Sequence, residues 1–310
     1  MAKPLRIGSG AGFSGDRLEP AVVLATQGAI DYLVLECLAE RTIALAQLRK
    51  RKDPARGYDS MLEPYARRLL SAAEIALAER VLDIGCGTGT TTLAAAAGAR
   101  EALGVDIAEP MITRARERAH EQGLPNARFE VADAQTAAFE SEFHDIVISR
   151  FGVMFFDDPA AAFANLRTAL RPDGRIVFVC WQNLADNEWV RIPALAAATH
   201  VPLPDLGEPG APGPFAFGDA ERLRTLLAQS GFRDIGIEGV ADTILLGGGG
   251  SVEDAVDFLR GTGMARALFA EASPDDVARA IDAVREALAP YQTPEGIRLG
   301  AAAWLVNARR

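Results

Sequence analysis

Val81-Leu82-Asp83-Ile84-Gly85-Cys86-Gly87-Thr88-Gly89-Thr90 joins a short apolar strand to three alternate glycines and then to an alanine-rich helix. Glycine suits backbone that turns with positive φ or lies close to a ligand, and the helix start beyond it offers unpaired amide donors. The stretch therefore reads as a strand-turn-helix that cradles a nucleotide-like ligand. A dinucleotide fingerprint needs its third glycine at position 90, which is threonine, so nicotinamide and flavin dinucleotides are disfavoured.

Further strand ends follow in order. Leu103-Gly104-Val105-Asp106 closes a second strand and Phe129-Glu130-Val131-Ala132-Asp133-Ala134 a third. His144-Asp145-Ile146-Val147-Ile148-Ser149-Arg150-Phe151 and Leu170-Arg171-Pro172-Asp173-Gly174-Arg175-Ile176-Val177-Phe178-Val179-Cys180-Trp181 complete the series. Helix-length connections between strands near 81–84, 102–106, 127–131, 145–149 and 175–180 fit parallel crossovers rather than hairpins, giving an α/β sheet with helices on both faces. A helix is expected over 219–230, a strand over 232–240, and strand content over 297–307.

The Asp-x-Gly-x-Gly-x-Gly stretch resembles motif I of the class I S-adenosylmethionine-dependent methyltransferases, and the four later segments match that family in sequence order. The likeness spans roughly residues 57–310 and is nearest to bacterial small-molecule methyltransferases related to those acting on ubiquinone and menaquinone precursors. It implies a Rossmann-like, seven-stranded, mostly parallel sheet whose last strand runs antiparallel between its neighbours. It also implies S-adenosylmethionine as cofactor, with methyl transfer to oxygen, nitrogen or carbon of a small molecule. Carried over residue by residue, Gly85, Gly87 and Gly89 lie against the cofactor, and Asp83 organises the side facing its ammonium. Asp106 accepts from the ribose diol, Ile107 and Met111 flank the adenine, Asp133 with Ala134 meets the adenine amino group, and Ser149 and Arg150 line the methionine end.

Two stretches interrupt that core and read as substrate cover. Residues 182–217 carry six prolines, and residues 247–293 carry the Gly247–Gly250 run followed by helices. Ser273-Pro274-Asp275-Asp276 is a capped helix start, and Val277, Ile281, Val284 and Leu288 form an apolar face expected to pack on the sheet. The glycine run reads as a flexible loop before a capped helix, with no phosphate-binding role.

Residues 1–56 read separately as a βαβ-like fragment with strands at 5–7 and 31–36 and helices near 18–27 and 40–50. Asp53 to Gly57 reads as a linker. Ile7-Gly8-Ser9-Gly10-Ala11-Gly12-Phe13-Ser14-Gly15-Asp16-Arg17, with Asp31-Tyr32-Leu33 and Glu36 to Thr42, resembles the opening of the acyclic terpene utilisation family, and that likeness stops by about residue 70.

Composition narrows the classes. The chain has 310 residues, 49% hydrophobic and 24% charged, enough for one large or two modest cores. A formal charge of −10 repels nucleic acid at first encounter, so a diffusible small substrate is preferred. No run is long enough to cross a bilayer and Met1-Ala2-Lys3-Pro4 begins no signal-peptide pattern, so the expected location is cytoplasmic. Cys37, Cys86 and Cys180 are isolated thiols, from which neither disulfide nor metal site is expected, and Cys86 reads as a packing residue. The oligomeric state is left open.

No residue stands out as a catalytic base. His144 precedes the fourth strand, at the sheet end opposite the ligand; His120 sits on a surface helix; His200 lies in the proline-rich stretch. Phe151, Met154, Phe155, Phe156, Trp181, Asn187 and Trp189 read as core or as edges of an acceptor site, and Arg150 could instead pair with Asp157. A second reading is a cofactor-binding or regulatory protein, because the aromatic-glycine flap usual before motif I is absent and only Tyr58 and Tyr65 stand nearby.

Overall fold

β1 (Arg80–Ile84) is a Val-Leu-Ile run buried on both faces, as a central parallel strand must be. The structure is a computed structural model and describes residues 54–203 and 210–310. β2 (Glu101–Asp106) and β4 (His144–Arg150) flank β1 in parallel, with β3 (Ala127–Val131) outside β2 and β5 (Leu170–Trp181) outside β4. β6 (Arg233–Leu245) forms the other edge, and β8 (Gly296–Arg309) runs antiparallel between β5 and β6. The order is 3-2-1-4-5-8-6, the mostly parallel seven-stranded α/β arrangement expected from the sequence. An eighth strand was not anticipated: β7 (Gln292–Thr293) pairs with the start of β8 through a hairpin that closes at Pro294-Glu295.

Residues 54–57, the described part of the expected linker, instead form the first turn of helix α1 (Pro54–Met61), whose proline occupies a position where a missing N–H costs nothing. Only residues 54–56 of the sequence-defined N-terminal fragment are described, so its expected strands and helices lie outside the described residues. Residues 53–310 form one compact unit.

Helix α2 (Glu63–Ala73) buries Tyr65, Ala66, Leu69 and Ala73 on β4 and β5. α3 (Thr90–Ala96) packs on β1 and β2, and α4 (Glu109–Gln122) packs on β3 through an apolar stripe at Ile112, Ala115 and Ala119. α5 (Pro159–Ala169) packs on β5 and on α7 (Ala220–Gln229), which lies along β6. The chain thus steps outward from β1 to β3, returns to β4 and steps outward the other way. Right-handed crossovers put the two helix sets on opposite faces. The order reverses between β1 and β4, and α/β sheets bind ligands in the crevice beyond the strand ends at such a point.

Both cover stretches carry helices. The first holds α6 (Glu188–Ala197); the second holds α8 (Val252–Arg260), α9 (Gly263–Leu268) and α10 (Pro274–Leu288). The α10 face does not pack on the sheet as expected. Ala280, Val284 and Leu288 are buried where α10 meets α6 and α8, so the two stretches stack on each other. The glycine run is also no slack loop. All four of its φ values are positive, Gly247 carbonyl oxygen lies 3.1 Å from a Cβ built on Gly57, and a Cβ on Gly248 would lie 3.1 Å from Ser60. Positive φ requires glycine along the run, and close neighbours, Phe258 at Gly247 and Glu295 O at Gly249, add to the requirement.

Asn187, at the start of α6, fixes the first cover to the sheet. Fully buried, its amide nitrogen donates to Asn183 and Ala302 carbonyls at 3.0 and 3.1 Å, while its oxygen accepts from Ala302 N–H at 3.0 Å and Trp189 Nε1 at 3.1 Å. Asn187→Ala would strand two donors, Ala302 N–H and Trp189 Nε1, while the two carbonyls keep backbone partners in Gln182 and Asp186 N–H. At about 1–3 kcal/mol for each group left unsatisfied, offset by partial relaxation, an overall loss of about 3 kcal/mol is expected in urea denaturation. A loss below about 1 kcal/mol would show that the cover is held some other way.

Candidate active site

The loop after β1 (85–89) crosses the loop after β4 (151–152) at the switch point, and the crossing leaves no room for side chains. A Cβ on Gly85 would lie 2.6 Å from Gly152 Cα, and one on Gly152 would lie 2.7 Å from Gly85 Cα and nearer still to Ile84 O. Ser149 ties the crossing together: its buried hydroxyl donates to Ile84 O at 2.7 Å and accepts from Gly152 N–H at 3.1 Å. Phe151 between them has φ 64°, an uncommon conformation for a residue with a side chain and one that gathers at functional sites.

The three motif glycines play different parts. Gly85 is forced by the crossing, and Gly89 by the Phe129 ring, which a Cβ would meet at 2.7 Å. Gly87 has φ 53° and nothing within 4 Å of a built Cβ. It is the bare part of the cradle, where backbone faces open space.

Asp106, at the end of β2, holds that backbone. One carboxylate oxygen accepts from Gly87 N–H and the other from Ala108 N–H, both at 2.9 Å. Each oxygen keeps lone-pair capacity for a further donor. Beside it Ile107 is 75% exposed and Met111 41%, a bare apolar edge for a flat ring. Asp133 is exposed and accepts from Gln135 N–H and Thr136 Oγ1 in a local turn, with Ala134 buried next to it.

Asp83 is wholly buried behind the loop. Its Oδ2 accepts from Thr91 and Thr92 hydroxyls, each at 2.6 Å, while its Oδ1 has no partner. Gly104, which the sequence did not single out, makes this possible, since a Cβ there would strike Thr92 Oγ1 and Cys86 Sγ. Cys86 is buried, and burial pushes its thiol far up, so it packs rather than reacts. Burial also pushes the Asp83 carboxyl from 3.8 up to about 6, with the two threonine hydroxyls and Arg150 pulling back only in part.

The sign of the pH effect follows. Between those values the native chain keeps a proton that the unfolded chain has released, so the contribution of Asp83 to stability falls as pH rises from about 4 to about 6 and stays constant above. Asp83→Asn removes the titration. Relative to wild type, the variant should gain of order 3 kcal/mol across that window in urea denaturation at stepped pH. A wild-type-to-variant difference that is flat with pH would contradict the assignment.

Arg150 pairs not with Asp157 but with Asp59 of α1, Nη2 to Oδ1 at 2.8 Å, and its buried Nη1 has no partner. Arg118 of α4 reaches the same carboxylate at 3.3 Å and bonds Thr88 O and Thr88 Oγ1 at 2.8 Å and Thr90 Oγ1 at 3.0 Å. Burial alone would raise the Asp59 carboxyl, but bonding to Arg150 and its charge, then Thr90 and Arg118, hold it below its usual value. Asp59, Arg118, Gly104 and Gly152 are the residues that sequence reading missed.

The other candidates are mostly structural. His144 begins β4 at the far end of the sheet, where burial pushes it down to about 4. His120 and His200 are exposed. Phe151, Trp181, Trp189 and Tyr65 form one buried aromatic cluster, with Phe151 stacked on Trp181 at 4.0 Å and Tyr65 donating to Ala301 O at 2.8 Å. Met154 and Phe156 are core, whereas Phe155 is 57% exposed. Among the described residues no cluster of His, Cys, Asp and Glu could hold a metal, and no helix is long and apolar enough to cross a membrane.

A reversed-order parallel sheet, a glycine cradle at its switch point and carboxylates ending its first two strands define the class I, Rossmann-like methyltransferase fold. The methyltransferase domain family matches residues 81–174. The acyclic terpene utilisation family matches residues 5–104, further than the likeness read from the sequence, and shares 81–104 with the first match. Those shared residues take in most of β1, the cradle, α3 and the first four residues of β2. An aklanonic acid methyltransferase of a Streptomyces species is 41% identical over 118 residues, 37% of this chain and 54% of that protein. A trans-aconitate 2-methyltransferase of Variovorax paradoxus is 31% identical over 178 residues, 57% of this chain and 62% of that protein. The chain thus spans about half to three fifths of the length of these curated relatives. The crystal structure of the YcgJ protein of Bacillus subtilis shares the fold, with TM-score 0.55 and 18% identity over 79% of this chain and 97% of that one.

Proposed function

We propose that the chain transfers a methyl group from S-adenosylmethionine to oxygen, nitrogen or carbon of a small molecule. The observation that carries this reading is a pair of buried, unpartnered polar atoms of opposite charge type, Asp83 Oδ1 and Arg150 Nη1, beside a cradle bare at Gly87. An amino acid zwitterion joined to a nucleoside supplies the complement of each.

In this account Gly87 presents backbone to the nucleoside, Asp106 accepts from the ribose diol, and Ile107 and Met111 sandwich the base. Asp133 receives the exocyclic amine with Ala134 beside it. Asp83 faces the ammonium and Arg150 the carboxylate. Ser149 acts at one remove, because its hydroxyl is committed to holding the loop crossing. Bound S-adenosylmethionine supplies a methyl already activated by its sulfonium. The protein's task is then to align an acceptor and exclude water, and alignment accounts for much of the rate. A general base is required only by acceptors that must lose a proton.

The alternative of a binding protein without turnover drew on the missing aromatic-glycine flap. α1 weakens it, because Asp59 brings that helix to the cradle by bonding Arg150. The reading is consistent with a location in the cytoplasm and with no nucleic acid partner.

Two relatives are named for acid acceptors, aklanonic acid and trans-aconitate, so small organic acids head the acceptor panel. Incubation with methyl-labelled S-adenosylmethionine should release S-adenosylhomocysteine together with a labelled acceptor. A folded protein that binds the cofactor yet labels nothing across hydroxyl, carboxyl, amine and activated-carbon acceptors would favour the binding-protein alternative.

A further inference from the structure

The Asp59–Arg150 pair has an unusual division of labour. Arg150 gives Asp59 one nitrogen at 2.8 Å while its other terminal nitrogen is buried without a partner. The remaining bonds of Asp59 are long, 3.3 Å from Arg118 and 3.4 Å from Thr88 Oγ1. Arg118 does not depend on them, since it makes three bonds of 2.8–3.0 Å to Thr88 and Thr90. The loop therefore keeps its brace when Asp59 leaves. Asp59 is also reachable from solvent, its side chain being 21% exposed. Asp59 is the one described residue whose side chain bonds the Arg150 guanidinium, so a tail carboxylate that takes both terminal nitrogens, the free Nη1 and the occupied Nη2, displaces it.

We propose that Asp59 is a specificity determinant for the cofactor's amino acid tail, its carboxylate holding in the ligand-free chain the place on Arg150 that the tail carboxylate takes. The inference rests on the S-adenosylmethionine reading and adds to it a carboxylate-for-carboxylate exchange. Ligands with the tail compete with Asp59; a nucleoside without it does not touch the pair.

The test is calorimetric titration of wild type, Asp59→Asn and Arg150→Met with S-adenosylhomocysteine and with 5′-methylthioadenosine, which has the nucleoside but no amino acid. Asp59→Ser replaces the amide variant if that variant melts early. Asp59→Asn should bind S-adenosylhomocysteine about three- to fivefold more tightly, the scale of one partly exposed ion pair, with methylthioadenosine unchanged. Arg150→Met should lose about tenfold or more for S-adenosylhomocysteine alone. Weaker S-adenosylhomocysteine binding in Asp59→Asn would mean that Asp59 receives the ammonium, and would overturn the proposal. Equal changes for both ligands, or none for either, would also overturn it while leaving the cofactor reading intact. If folded wild type binds neither ligand, the cofactor reading fails and the proposal fails with it.

Discussion

Gly152→Ala is expected to be among the most damaging single substitutions in the chain. Its backbone, φ −77° and ψ −33°, is ordinary for alanine, so no conformational strain is involved. The damage comes from one methyl group driven to 2.7 Å from Gly85 Cα and closer to Ile84 O, where both neighbours are backbone and neither can rotate away. Overpacking of this kind costs about 3 kcal/mol or more, and it would force the β1 and β4 loops apart at the switch point. Cofactor affinity should disappear with it. Gly87→Ala is the control. Its φ of 53° costs a side chain about 1–2 kcal/mol, but the methyl meets nothing within 4 Å, so the fold should persist while affinity falls about tenfold or more. Urea denaturation and calorimetry on both variants decide the matter. A Gly152→Ala protein as stable as wild type would show that the loops do not cross as described.

Asp106→Ala should have the second large effect, and for a different reason. The carboxylate holds Gly87 N–H and Ala108 N–H, so its loss frees the bare corner of the cradle and, on the proposed reading, removes the acceptor for a ribose diol. Charge-assisted bonds contribute about 1.5–3 kcal/mol each, so losing those to the ligand should lower affinity about a hundredfold or more. Stability should fall less, by about 2 kcal/mol, because the residue is half-buried and water can replace it at the amides. The ligand series separates this from the tail contacts. Methylthioadenosine keeps the ribose, so it should lose affinity to Asp106→Ala yet not to Arg150→Met.

Much of this was legible along the chain because it is local. A buried apolar run followed by alternate glycines, and carboxylates placed at successive strand ends, announce strand order and ligand side without any long-range contact. What stayed hidden depends on distant segments meeting. Gly85, Gly87 and Gly89 look alike in sequence, yet the reasons for them are a backbone at 152, open space and a ring at 129. Asp59 and Arg118 sit on ordinary helical stretches, and only the fold carries them to the same loop. The α10 stripe announced a buried face but could not say that the burying surface is α6 and α8. The Gly247–Gly250 run looked slack because nothing nearby in sequence reveals α1 pressed against it.

The central claim is that the switch-point cradle takes S-adenosylmethionine. Its most direct test is calorimetric titration of the folded chain with S-adenosylmethionine and S-adenosylhomocysteine beside Asp106→Ala. Micromolar binding of both by wild type, lost in the variant, is the predicted result. A folded wild type that binds neither, or a variant that binds as wild type does, would contradict the account.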